Sequence, residues 1–128
     1  MKVILTGGAG FIGSNLADGL IDDGHDVTII DNMCNGKTEN VNPKAKFFEY
    51  DIRRLDMDDI FKGVDVVYHC AALARVQPSI ENPLEFDDVN VHGTLNLLEH
   101  SRRNGVKRFV LSSSSSVYGE PPARVACG

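Results

Sequence analysis

Eight residues near the amino terminus, Thr6-Gly7-Gly8-Ala9-Gly10-Phe11-Ile12-Gly13, constrain the fold more than any other stretch. They follow a short apolar run at residues 3–6 and precede a segment in which Ile12, Leu16, Leu20 and Ile21 recur at helical spacing. An apolar run stopped by glycine is the pattern of a strand buried on both faces. The helix over residues 11–23 then ends at Gly24. In such a strand-to-helix turn the three glycines have separate tasks: Gly7 permits the tight turn, Gly10 lets backbone approach a ligand, and Gly13 lets the helix pack close to the sheet. The unpaired N–H groups at the helix start, those of Phe11 and Ile12 among them, and the positive end of the helix dipole suit a pyrophosphate.

A second apolar run, residues 27–30, closes on Asp31. A carboxylate at the end of this strand accepts both hydroxyls of a ribose and repels a 2′-phosphate, which predicts NAD rather than NADP. No arginine follows; the next residues are Asn32, Met33, Cys34 and Asn35, in a polar loop over residues 32–43. The bland reading of Asp31 is a solvated loop aspartate. Phe47, Phe48 and Tyr50 mark a third strand ending at Asp51-Ile52. There Asp51 either meets an adenine amino group, with Ile52 over the ring, or is a plain strand-to-helix cap. A short helix over residues 55–61 leads through Gly63 to a fourth strand at 64–69. Asn82-Pro83-Leu84-Glu85 reads as a helix start, with an Asn cap and proline at the first position. That helix is predicted over residues 83–103, with Leu84, Val91, Leu95 and Leu98 on one stripe and Asn90, Gly93 and Leu97 facing the sheet. Gly105 stops it before a fifth strand at 109–113. Strands alternating with helices, each strand nearly all apolar, predict an α/β chain: a Rossmann-type doubly wound parallel sheet of order 3-2-1-4-5. Residues 1–120 are expected to form one NAD-binding domain and 121–128 a short tail.

Charge and composition narrow the partners. With 13 Lys+Arg against 18 Asp+Glu the chain carries −5, and no basic stripe tracks a phosphodiester backbone, so nucleic acid is not expected. Arg102, Arg103, Lys107 and Arg108 complement the end of a helix dipole. Cys34, Cys70 and Cys127 show no CxxC spacing and read as free thiols of a reducing compartment. Among His25, His69, His92 and His100 no HxxxH pair occurs, so no metal site is expected. The apolar run at residues 3–6 is too short for a signal peptide or a membrane span, which points to the cytoplasm.

With those residues in place, the chain resembles the extended short-chain dehydrogenase/reductases, the group of nucleotide-sugar epimerases and dehydratases. The likeness runs through TGGAGFIG at residues 6–13, Asp31-Asn32-Met33-Cys34-Asn35-Gly36, Tyr50-Asp51-Ile52, His69-Cys70-Ala71-Ala72 and Asn90-Val91-His92-Gly93-Thr94, and ends in Ser112 to Tyr118-Gly119. Within the group it is most similar to UDP-sugar 4-epimerases acting on UDP-glucose or UDP-N-acetylglucosamine. The resemblance implies NAD contacts from Asn32, Asn35, Gly36, Ala71, Ala72, Ala74, Asn90 and Ser112. It also implies that Ser114, four residues before Tyr118, hydrogen-bonds the reacting sugar hydroxyl. Each has a plain alternative: small residues at a strand exit for Ala71 and Ala72, a hydrogen-bonded core amide for Asn90, satisfied backbone groups for Ser114.

Departures from the group matter as much. Its catalytic base is the tyrosine of Tyr-x-x-x-Lys, and residues Arg54, Ala72 and Pro122 stand four after the three tyrosines here. The later strands and the sugar-binding region are not expected in these residues. Dehydratases of the group carry an Asp-Glu pair where this chain has Ser115-Ser116, and UDP-glucose epimerases often carry Lys where it has Ala74. The expectation is the NAD-binding half of a UDP-sugar 4-epimerase, in which the sugar is transiently oxidised at C4, without turnover of its own. The alternatives are a short NADH-dependent reductase or a dehydratase fragment. A homodimer is expected through the edge of the fifth strand and the outer face of the long helix.

Overall fold

The computed structural model describes residues 1–119; the predicted tail, and Cys127 with it, lies outside the described residues. Five strands, β1 (Lys2–Thr6), β2 (Asp26–Asp31), β3 (Lys46–Glu49), β4 (Val66–His69) and β5 (Arg108–Leu111), form one sheet in the order β3-β2-β1-β4-β5. Every pairing is parallel: Val3 lies beside Val27 and Val66, and Val67 beside Phe109. All five carboxyl ends therefore meet at one edge, where the ligand-binding residues are expected.

Helices cover both faces because the strands are apolar on both. Alternation along β1 sends Val3 and Leu5 towards α1 (Phe11–Asp22), where they pack with Ala17, Leu20, Val27 and Ile29. Ile4 points the other way, into a core with Ile30, Met57, Phe61, Val67, Val89 and Leu97. That second core lies beneath α2 (Asp58–Phe61) and the long helical stretch that follows β4. Burying each such side chain contributes about 1.5–3 kcal/mol.

Several boundaries differ from the sequence reading. Val64 is a core residue in the turn entering β4, and β3 stops before Tyr50 and Asp51. An additional helix, α3 (Val76–Glu81), was not anticipated; none of its residues is buried, and its apolar side chains Val76 and Ile80 are exposed. The predicted helix over residues 83–103 is α4 (Pro83–Asp87), a π-helical turn (Asp88–His92) and α5 (Gly93–Arg103). The Asn82 side chain caps no backbone group; it donates instead to the Glu85 carboxylate at 2.7 Å. Leu84, Val91, Leu95 and Leu98 lie outward and exposed, whereas Val89, Gly93, Leu97, His100 and Ser101 face the sheet.

Candidate functional site

Gly7 sits where β1 parts company with its neighbours. Its N–H donates to Ile30 O at 2.9 Å on the β2 side. On the β4 side a Cβ added to it would lie 2.7 Å from Ala71 N. Its φ of +74° is the left-handed conformation that glycine alone adopts cheaply. A Cβ on Gly13 would strike the Gly7 carbonyl carbon at 2.8 Å and Gly8 Cα at 2.9 Å, so the first turn of α1 rests directly on the loop. At Gly10 the nearest atom to an added Cβ is Gly7 O at 3.3 Å, and the other side is open. Among the described residues no acceptor meets the N–H of Phe11 or Ile12, and both side chains are exposed. Two orphan donors at a helix start beside a β1/β4 switch point make a cradle for an anion.

The loop is clasped from the side by the segment after β2. Asp31, buried at the end of β2, accepts from Ala9 N at 3.0 Å and from Met33 N at 2.9 Å, one on each carboxylate oxygen. Each oxygen keeps one lone pair. Ala9 O accepts from Lys37 N and from Asn40 Nδ2, and Gly36 leaves no room for a Cβ, which would stand 2.6 Å from that of Ala9. Asn35 is exposed, its amide resting on Cys34 Sγ at 3.5 Å.

Asp51 is bound differently from the expectation. One oxygen accepts from Arg53 N and Nε, the other from Arg53 Nη2 and Asn32 Nδ2. These four bonds take all its acceptor positions, with Asn32 the longest at 3.2 Å. The Arg53 guanidinium holds the carboxyl down at about 2 and reaches on to Asp88 at 2.7 Å. The bond from Arg53 N closes a turn just after β3 rather than capping a helix, since α2 begins only at Asp58. Ile52 needs correction as a ring cover: its side chain is buried in the core beneath Gly93, where an added Cβ would lie 2.6 Å from Ile52 Cδ1. Asn96 secures the same stretch, donating to Ile52 O and Arg54 O.

On the opposite side of the glycine loop, the segment leaving β4 is tied down by a polar relay. Thr6 Oγ1 and His69 Nδ1 are 2.7 Å apart, and His69 Nε2 is 2.8 Å from Thr94 Oγ1. Asn90 clamps Leu73, accepting its N–H and donating to its carbonyl, both at 2.9 Å. Burial pushes the His69 imidazole down to about 4. Ala71 is half-buried against Gly7, while Ala72 and Ala74 are exposed beyond it. Ser112 Oγ lies 3.3 Å from Cys70 Sγ at the β5 end. Ser114 Oγ accepts from Ser116 N at 3.1 Å and begins the turn leading to the exposed Tyr118. Thr6, His69 and Thr94 received no role from the sequence; a hydroxyl at the end of β1 and another four residues after Asn90 were the available signals. Among the described residues no cluster of His, Cys, Asp or Glu is placed to hold a metal, and no helix is long and apolar enough to cross a membrane.

Residues 3–126 match the family described as the NAD dependent epimerase/dehydratase family. The chain belongs to that family. A putative UDP-glucose 4-epimerase of Methanocaldococcus jannaschii is 48% identical over 122 residues, covering 93% of this chain and 40% of that protein. A UDP-glucose 4-epimerase of Klebsiella pneumoniae is 44% identical over 132 residues, covering 95% of each. The crystal structure of the Thermus thermophilus UDP-glucose 4-epimerase complex with NAD superposes with a TM-score of 0.91 at 41% identity, covering 97% of this chain and 41% of that one. Apart from the Klebsiella protein, the chain spans about two-fifths of the length of these relatives. Family membership agrees with the strand order.

Proposed function

We propose that this chain binds NAD across the carboxyl edge of its sheet and is the cofactor-binding part of a UDP-sugar 4-epimerase. The observation that carries the reading is the pair of orphan amides of Phe11 and Ile12, set beside Asp31 at the next strand end. The pyrophosphate lies over Gly7, Gly10 and Gly13, and Asp31 turns its remaining lone pairs to the adenosine ribose, with Asn32, Asn35 and Gly36 beside it. The other half of the dinucleotide then runs over Ala71, Ala72 and Ala74 towards Asn90 and Ser112. NAD supplies reversible hydride transfer at C4 of the sugar when bound, and Ser114 orients the reacting hydroxyl. The UDP-glucose 4-epimerase names of the relatives support the substrate class.

These 128 residues contain no Tyr-x-x-x-Lys, so they supply no positioned base for the sugar hydroxyl. General acid–base catalysis is commonly worth about 10²–10⁴-fold. We therefore assign cofactor binding to this chain and no epimerase turnover above background. We also assign it a homodimer, because Leu84, Val91, Leu95 and Leu98 are exposed on one helical stretch. Parallel titrations with NAD and NADP test the central reading. Tighter NAD binding is expected, because a 2′-phosphate would approach the Asp31 carboxylate. Equal affinities, or a preference for NADP, would overturn it.

A further inference from the structure

A dinucleotide whose pyrophosphate rests on the glycine loop and whose adenosine ribose meets Asp31 must extend its other half over the end of β4. The backbone there, at residues 71–73, is held from two directions. Ala71 N donates to Thr6 Oγ1 at 3.3 Å, and Leu73 is clamped through both its N–H and its carbonyl by Asn90. The two anchors are linked by a single side chain, His69, which is 2% exposed.

The direction of every proton in this link follows from the partners. Thr94 donates its one hydroxyl proton to Asn90 O at 2.7 Å, so its oxygen faces His69 as an acceptor. His69 Nε2 must therefore carry a proton, which it donates to Thr94 at 2.8 Å. A neutral ring then has a bare Nδ1, which accepts the Thr6 hydroxyl proton at 2.7 Å. Thr6 Oγ1, having given that proton away, is free to accept the N–H of Ala71. The opposite tautomer would set the Nε2 lone pair against the Thr94 oxygen and leave the Thr6 proton without an acceptor. The edge of the Phe109 ring, with centroids 5.9 Å apart, closes the remaining side of the imidazole. Burial holds the ring neutral near pH 7, as the relay requires.

We propose that His69 is a positioning residue for the nicotinamide half of the cofactor, an Nε2-protonated imidazole that joins Thr6 to Thr94 and so fixes residues 71–73 against both β1 and the π-helical turn. The proposal rests on the NAD reading above. The link is part of the wall for one half of the dinucleotide only, because Asp31 and residues 7–13 exchange no hydrogen bond with His69 or Thr94.

The test compares NAD with ADP, which carries the adenosine and pyrophosphate but nothing beyond. In the 128-residue chain, Thr94→Val removes the acceptor for Nε2–H while keeping the shape, and Thr94→Ser restores the hydroxyl. His69→Gln is the second, more drastic change. Thr94→Val is expected to weaken NAD about tenfold, equivalent to about 1.4 kcal/mol, and to leave ADP within about twofold. Thr94→Ser is expected to recover NAD affinity. Nitrogen-15 spectra of wild-type protein are expected to show a neutral ring protonated on Nε2. Parallel losses of NAD and ADP would reduce His69 to a general scaffold residue and overturn the proposal. So would unchanged NAD affinity, or a wild-type ring protonated on Nδ1. Wild-type protein that binds ADP but not NAD, or neither, overturns the NAD reading itself and the proposal with it, a result distinct from the others.

Discussion

Acidification should cost this protein stability through His69. The ring is almost fully buried between Thr6, Thr94 and Phe109, and its hydrogen-bonding partners are hydroxyls rather than carboxylates. Burial alone lowers it from 6.5 to about 4. Above pH 6.5 the ring is neutral in both folded and unfolded chains and contributes no pH dependence. Between 6.5 and 4 the unfolded chain binds the proton and the folded one does not, so stability falls with pH across that window and levels off below it. At 1.36 kcal/mol per unit the full penalty is about 3 kcal/mol, a large part of the stability of a small domain. The assay is urea unfolding of wild type and His69→Gln from about pH 7.5 to pH 4. The other histidines cancel in the difference between the two proteins. Wild type should lose about 3 kcal/mol more than the variant over this range. Parallel pH profiles would refute the reasoning, because they would mean that the ring is protonated in the fold at no cost.

Four further outcomes follow from the geometry. Gly13→Ala should destabilise by about 1–3 kcal/mol and weaken NAD, because its Cβ meets Gly7 and Gly8 backbone that cannot rotate away; calorimetry showing an unchanged midpoint would contradict this. Asp31→Asn should cost about 1–3 kcal/mol as well as the NAD preference, since its amide would face the N–H of Ala9 or Met33 as donor against donor; denaturation and cofactor titration on the same sample check both. Arg53→Met should be less stable than wild type above pH 4, and the gap should close as pH falls towards about 2. The reason is that the folded carboxyl of Asp51 is depressed, so its contribution is present above its unfolded value and lost on protonation; a gap unchanged at low pH in acid-unfolding curves would exclude it. Sedimentation should show a dimer that Leu95→Glu with Leu98→Glu dissociates, and a wild-type monomer persisting at high concentration would count against the homodimer.

The amino-acid sequence by itself determined the layered architecture and the glycine cradle, because both are written in local patterns. Runs such as residues 3–6 and 27–30 are apolar at nearly every position and admit only a sheet covered on both faces. Gly7 and Gly13 stand where any side chain would strike backbone, and Asp31 stands at a strand end that borders the loop. What only the tertiary structure decided are the partners of polar groups, since these come from segments far apart in the chain. Asp51 had the right place for a base contact, yet Arg53 and Asn32 fill its lone pairs. Ile52 is turned inward because Gly93, some forty positions later, offers it space. The π-helical turn at Asp88–His92, which divides the long helix predicted over residues 83–103, left no mark in the apolar spacing. The link from Thr6 through His69 to Thr94 was out of reach of any periodicity, because a hydrogen bond between β1, β4 and α5 exists only once the parallel order has brought their ends together.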